Sequence, residues 1–274
     1  MKSKNAMTLD RALSRFGVTS RAEARKWIEQ RRLKVNGRVV RSPEVWVRPG
    51  QDTIHLDGAC LKPARKIYLL LYKPKGVITS HGDPAGRRTV YDLLGDVGQW
   101  VFPVGRLDQD TSGLLLLTNE TDFADFVTSP ESGVPKTYRV KLNGLLPEEA
   151  LARLQAGIRM KRGDWARPLS VRRLEDRGKY TWLEVILTEG KNREVRRMIE
   201  AVNFKALKLV RTAIGPLTLE GLEVGAWRRL KHAEIVALRN SRSRARVLTP
   251  SRQERTAAQS ALKPQRATPQ TLSG

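Results

Sequence analysis

Between residues 67 and 240 the apolar residues come in short runs, the longest of them strand-sized, such as residues 67–72 and 114–117. No run reaches the roughly 18 apolar residues that a membrane-spanning helix needs. A chain patterned this way has to bury its core on a sheet. Strand-like runs fall at 67–72, 101–104, 113–118, 137–142, 182–188 and 205–212. Helical patterns interrupt them at 90–94, 121–128, 147–155 and 193–202, and Pro147 suits the first turn of its helix. Strands and helices do not alternate regularly. The expected class is therefore α+β, with a mixed or antiparallel sheet.

Ahead of that region lies a compact basic segment, residues 7–57. Leu9, Leu13 and Phe16 fall on one helical stripe, and Gly17 is a suitable stop. Ser20 followed by Glu23 predicts a capped second helix that buries Ala24 and Ile28, with Trp27 at its edge. Asn36-Gly37, between two short apolar stretches, predicts a hairpin. The expected organisation is a small αβ domain over 7–57, a linker over 58–66 and a larger domain over 67–240. A basic, disordered tail is expected over 241–274.

Charge then narrows the partners. Lys and Arg number 51 against 28 Asp and Glu, a formal net charge of +23. A chain this basic is expected to meet a polyanion, and nucleic acid is the first candidate. The start of the chain, Met1-Lys-Ser-Lys, has no apolar signal core, so a cytoplasmic protein without a membrane partner is expected, with a monomer as the default. A single cysteine, Cys60, excludes an internal disulfide and paired-cysteine zinc sites. Nothing in the spacing of His55, His81 and His232 argues for a metal. In the N-terminal segment, Arg21, Arg25, Lys26 and Arg31 form a cationic face, and guanidinium groups suit phosphate and stacked bases. Such a face also fits a DNA-reading helix-turn-helix, or plain solvated charge.

The most informative stretch is Gly105-Arg106-Leu107-Asp108-Gln109-Asp110-Thr111-Ser112-Gly113. It is a polar turn between two strand-like runs, so its two carboxylates are rigidly supported. Asp, Ser, Thr and Gly are also ordinary turn formers. The spacing of Asp108 and Asp110 also fits a metal pair, but no neighbouring Asn, Glu or His completes a ligand set.

Two resemblances add to this reading. Leu13, Val18-Thr-Ser-Arg-Ala-Glu-Ala-Arg-Lys-Trp-Ile28 and Lys34-Val-Asn-Gly37 resemble the RNA-binding domain named after ribosomal protein S-four. Residues 105–119 resemble the signature of the ribosomal RNA pseudouridine synthases that carry such a domain. Lys73-Pro-Lys-Gly76, Lys136-Thr-Tyr138 and Glu189-Gly-Lys-Asn-Arg-Glu-Val-Arg196 agree in order. The resemblance covers roughly residues 7–240. It implies that Asp108 is the catalytic carboxylate, that Tyr138 faces the base and that Arg196 pairs with Asp108. It implies a target uridine in ribosomal RNA or a pre-ribosomal particle, the large-subunit 23S RNA being favoured over the 16S.

The chemistry breaks the N1–C1′ bond of uridine, turns the base, bonds C5 to C1′ and releases the C5 proton. No electrons are exchanged, so no cofactor is expected. A carboxylate can act as nucleophile at the sugar or as a base on it. The target base has to leave its stack. Arg106 can plug the vacated space or touch phosphate. Lys73, Lys75, Arg87 and Arg193 are expected to follow the RNA backbone. A non-catalytic ribosome-assembly factor would share the basic module but have no need of Asp108. An RNA methyltransferase would want a Gly-rich cofactor turn, which is absent from the sequence. A DNA-binding regulator would leave the large strand-rich region unexplained, so no DNA partner is expected.

Overall fold

The computed structural model describes residues 6–161 and 163–248. Helix α1 (Leu9–Arg15) buries Leu9, Ala12 and Leu13, and α2 (Arg21–Glu29) buries Ala24 and Ile28. These five join Leu33, Val40, Val47 and Ile54 in one apolar core, with Trp27 at its edge. Gly17 turns the chain between the helices at φ 68°. Ser20 caps α2 by accepting the Glu23 N–H at 3.0 Å. The Glu23 carboxylate goes to Lys26, at 3.3 Å, instead of returning to the cap.

The expected hairpin forms, with β1 (Leu33–Val35) antiparallel to β2 (Arg38–Val39) across Asn36-Gly37. On its other side β1 pairs with β3 (Ile54–Leu56), and β3 pairs with β4 (Ala59–Cys60). The expected linker thus begins with a strand. Asp57-Gly58, both at positive φ, is a second tight hairpin turn, and it carries the sheet as far as Cys60.

The larger sheet has nine strands among the described residues. Its strands are β5 (Tyr68–Lys73), β6 (Ser112–Thr118), β7 (Lys136–Leu142), β8 (Ser170–Arg177), β9 (Tyr180–Leu187), β10 (Ala206–Ile214) and β11 (Trp227–Arg229), with two short pieces, Phe102–Pro103 and Leu217–Thr218. The order is β8-β9-β7-β10-β6-β5-β11. Neighbours are antiparallel except β10 and β6, which run parallel. The sheet is mixed, one of the two arrangements expected with the α+β class.

Both faces of its centre are covered. Leu69, Leu71, Leu115 and Leu117 join the larger core with Val140, Val185 and Met198. Their neighbours in sequence, Leu70, Leu114 and Leu116, join a second core with Phe123 and Val127 of α3 (Thr121–Thr128). Burial on both faces explains why these strands read as unbroken apolar runs. Helix α4 (Glu148–Ala156) packs Leu151 and Leu154 into the larger core, as do Val195 and Ile199 of α5 (Glu194–Glu200). Helix α6 (His232–Leu248) runs past Asn240, where the larger domain was expected to end. Ser241 still bonds within it, donating to the Leu238 carbonyl at 2.7 Å. The rest of the expected tail lies outside the described residues.

The small domain is docked on the large one. Arg15 pairs with Asp122 of α3 at 3.0 Å, and the Ala64 N–H donates to the Phe16 carbonyl at 2.8 Å. Gly17 lies so close to Asn119 that a β-carbon there would stand 2.7 Å from its Nδ2. Asn119 accepts from the Ile67 N–H at 2.9 Å and donates to the Arg65 carbonyl at 2.8 Å. One side chain at the end of β6 thus holds the connecting segment and meets the α1–α2 turn.

Candidate active site

The turn 105–111 is fastened on several sides. Gly105 at φ 73° leads into it, and the buried Leu107 anchors it. Thr79 Oγ1 donates to the Leu107 carbonyl at 2.8 Å and accepts its N–H at 3.3 Å. The Gly76 N–H donates to the Gln109 carbonyl at 2.7 Å, and the Thr111 N–H closes back on the Asp108 carbonyl at 3.1 Å. Beneath it, Lys73 Nζ donates to the carbonyls of Pro74, Asp108 and Thr111 at 3.1, 3.1 and 2.8 Å. From α5, Arg196 donates to the Asp110 carbonyl at 2.9 Å and the Ala206 carbonyl at 3.0 Å. The turn leaves Gly113 at φ 122°, where β10 passes so closely that a β-carbon would stand 2.3 Å from the Arg211 carbonyl oxygen. Asp108 therefore sits at the seam where the parallel pair joins the two halves of the sheet.

Beside this turn opens a cavity of about 290 Å³, lined by Arg106, Asp108, Lys136, Tyr138, Leu209 and Arg211 among others. That is close to the lower end of ordinary small-ligand sites, roughly 300 Å³. Tyr138 of β7 and Asp108 of the turn meet at the same cavity, and Arg106 is exposed at its lip. Lys75 is also exposed, in an adjoining recess shared with Gln109, Asp110 and Arg193. The structure thus gathers Arg106, Lys75 and Arg193 around Asp108.

Two expected roles are corrected. Lys73 does not face RNA: it is fully buried, because two carbonyls of the turn, those of Asp108 and Thr111, and that of Pro74 draw its ammonium inward. Burial pushes it down to about 8 against the opposing pull of Asp108 and Asp110. Among the described residues the ion pair on Asp108 is made by Arg193, at 3.4 Å, while Arg196 acts on Asp108 only as a nearby charge. Arg196 goes to the neighbouring carboxylate, Asp110, at 3.2 Å, since its donors to Asp110 and Ala206 carbonyls fix its guanidinium below the turn. Arg193 also reaches Asp110, at 3.1 Å. Burial raises the Asp110 carboxyl, but the Arg193 hydrogen bond and the Arg196 charge outweigh it and hold Asp110 below the usual carboxylate range.

The other cations differ in their freedom. Arg21 and Arg25 both bridge at 3.1 Å to the buried Asp10, leaving their outer faces in solvent. Lys26 is paired with Glu23, and Arg87 with Asp83 at 2.7 Å. Arg31 is exposed at φ 58° at the end of α2. His81 packs edge-on against Tyr91 and Trp100, at 4.9 and 4.6 Å between ring centroids.

Sequence reasoning missed Lys136, although the signal was available. It stands two residues before Tyr138 on a strand, hence on the same face. It is buried in the cavity wall, donating to the Thr188 carbonyl at 3.3 Å. Burial, with Arg211 adding and Glu194 opposing, lowers it to about 8. Asp110 was read as the second carboxylate of the turn, but its partners Arg193 and Arg196 were not, and Thr79 and Arg211 were unreadable as parts of the site because they come from distant segments.

The model of RNA pseudouridylate synthases matches residues 67–201, and that of the S4 domain matches residues 7–52. A protein described as an uncharacterized RNA pseudouridine synthase of Aquifex aeolicus is 41% identical over 231 residues, covering 84% of this chain and 92% of that one. The ribosomal large subunit pseudouridine synthase B of Bacillus subtilis is 40% identical over 233 residues, covering 84% and 95%. A crystal structure titled as a pseudouridylate synthase superposes with a TM-score of 0.62 at 30% identity, covering 85% of this chain and 99% of that one. The chain belongs to the RNA pseudouridine synthase family and carries an N-terminal S4 domain. Among the described residues no helix is long and apolar enough to cross a membrane.

Proposed function

We propose that the protein isomerises a specific uridine of ribosomal RNA to pseudouridine, with Asp108 as the reacting carboxylate and the large-subunit 23S RNA as its substrate. The observation that carries this is the position of Asp108: on a turn locked by Lys73, Thr79 and Arg196, beside a nucleoside-sized cavity that also holds Tyr138. The large-subunit assignment draws on the relatives named for that activity in Bacillus subtilis and in Salmonella typhi, the latter 36% identical over 240 residues.

In this reading a uridine leaves its stack and enters the cavity, and Arg106 at the lip fills the space or holds a flanking phosphate. Asp108 acts on the sugar while the glycosidic bond breaks. The Tyr138 ring supports the detached uracil as it turns, and its hydroxyl assists loss of the C5 proton. Arg193 keeps the Asp108 carboxylate oriented and faces the backbone phosphates. Lys75, Arg87 and the S4 cations Arg21, Arg25, Lys26 and Arg31 supply further phosphate contacts, whose effect is screened by salt.

The test is base-resolution mapping of pseudouridine in unmodified 16S and 23S transcripts and in precursor particles, alongside Asp108→Asn. One new pseudouridine in 23S RNA is expected with the wild type and none with the variant, which still binds RNA. Product from Asp108→Asn removes Asp108 from its role. Binding without product on every substrate favours the non-catalytic assembly factor.

A further inference from the structure

The turn that presents Arg193 is held by a buried acid. Arg193 stands at φ 48°, left-handed without being glycine, directly before α5. Such a conformation is strained and persists where its surroundings impose it. The imposing group is Glu194, which is 3% exposed. Its Oε2 accepts the Lys191 N–H at 3.0 Å and closes the turn. Its Oε1 is buried and meets no hydrogen-bond donor among the described residues.

What stands against Glu194 is a second acid. The Glu189 side chain is within hydrogen-bonding reach of it, and Glu189 is paired on its outer side with Lys191 Nζ at 3.0 Å. Two ionised carboxylates only accept, so they cannot bond each other. One proton shared between them turns a repulsive contact into a short, strong O–H···O bond. The other charged groups facing Glu194 are Lys191 on the turn and Lys136 on β7. Burial is the largest influence and Glu189 the next; together they push Glu194 up to about 7 despite Lys191.

We propose that Glu194 is a positioning residue that works in its protonated form: it donates to Glu189, keeps the 189–193 turn closed and so holds Arg193 on Asp108 and Asp110. Its kinetic consequence rests on the reading of Asp108 given above. Its structural consequence does not.

The experiment compares the full chain with Glu194→Gln and Glu194→Ala. Glutamine is neutral at every pH and still donates through its amide. Because the folded protein holds the proton more tightly than the unfolded chain, Glu194 favours folding at low pH and this contribution is lost as pH rises through about 7. The Tm of Glu194→Gln should therefore gain on the wild type as pH rises from the ordinary value of 4.5 to about 7. In single-turnover pseudouridine formation, Glu194→Ala should be slowed about 10- to 100-fold at every pH, as for a misplaced catalytic group. Glu194→Gln should restore turnover and lack the decline expected of the wild type above about 7. A Tm difference that does not change with pH overturns the proposal, as does equal slowing in the two variants. If the wild type makes no pseudouridine, the assignment of Asp108 fails, while the Tm series still decides where the proton is.

Discussion

Lys73 and Lys75 are two residues apart and do opposite things. Lys73 is buried under the turn with its ammonium spent on three carbonyls, whereas Lys75 is exposed beside Arg193. Only the second can release counterions from RNA. Lys75→Ala should lower the slope of log Kobs against log salt by about 1, and Lys73→Met should leave that slope where it is. The cost of Lys73→Met falls on the turn: its Asp108 and Thr111 carbonyls, together with that of Pro74, lose their donor, and turnover should fall without loss of RNA affinity. Unfolding against pH gives a second check. The buried ammonium is held at about 8 instead of 10.5, so the unfolded chain binds more protons between those values and stability rises with pH across that window. In Lys73→Met this share of the rise should be missing. Equal salt slopes for the two variants would contradict the placement of these lysines.

At the scale of elements, the site depends on one seam. Strands β6 and β10 are the parallel pair in an otherwise antiparallel sheet, and they meet through Val210 opposite Ser112 and Arg211 opposite Gly113. Glycine is required there on two grounds: φ is 122°, and the Arg211 carbonyl fills the place of a β-carbon. Gly113→Ala should cost about 3 kcal/mol or more, combining backbone strain with overpacking, and should be read from the urea midpoint. A shift below about 1 kcal/mol would show that the seam can open.

The same seam marks the limit of what the sequence discloses. Helix α3 and the first hairpin were readable because caps, turns and apolar periodicity are local. Asp108 and Tyr138 each stand in a contiguous motif, and the structure lines one cavity with both. Strand β8 was not readable, because along Ser170–Arg177 only Val171 is buried and the charged remainder masks the alternation. Nor was β11, three residues long at the sheet edge. The exchange of Arg196 for Arg193 on Asp108 escaped for a different reason. It is decided by which carbonyls a distant strand offers to Arg196, including that of Ala206.

At the scale of the whole molecule, a net charge of +23 gives affinity for any RNA, so charge alone cannot choose a uridine. Choice requires that the S4 cations stand at a fixed offset from Asp108. The docking provides this through few contacts. The Arg15–Asp122 pair is exposed on both sides and contributes little on its own. The firmer contact is Asn119, buried, bonded to the connecting segment through Ile67 and Arg65, and packed against Gly17. Asn119→Ala removes that side chain while leaving every cation and the Asp108 turn in place. RNA affinity and its salt slope should then stay as they are, since the number of phosphates met is the same. Turnover on ribosomal RNA should fall about tenfold or more, because the second binding surface no longer fixes the first in register. Small-angle scattering should show a larger radius of gyration, reporting the released S4 domain directly. An unchanged radius with unchanged turnover would mean that the offset is set elsewhere. Weaker binding with a reduced salt slope would mean that Asn119 shapes the cationic surface itself.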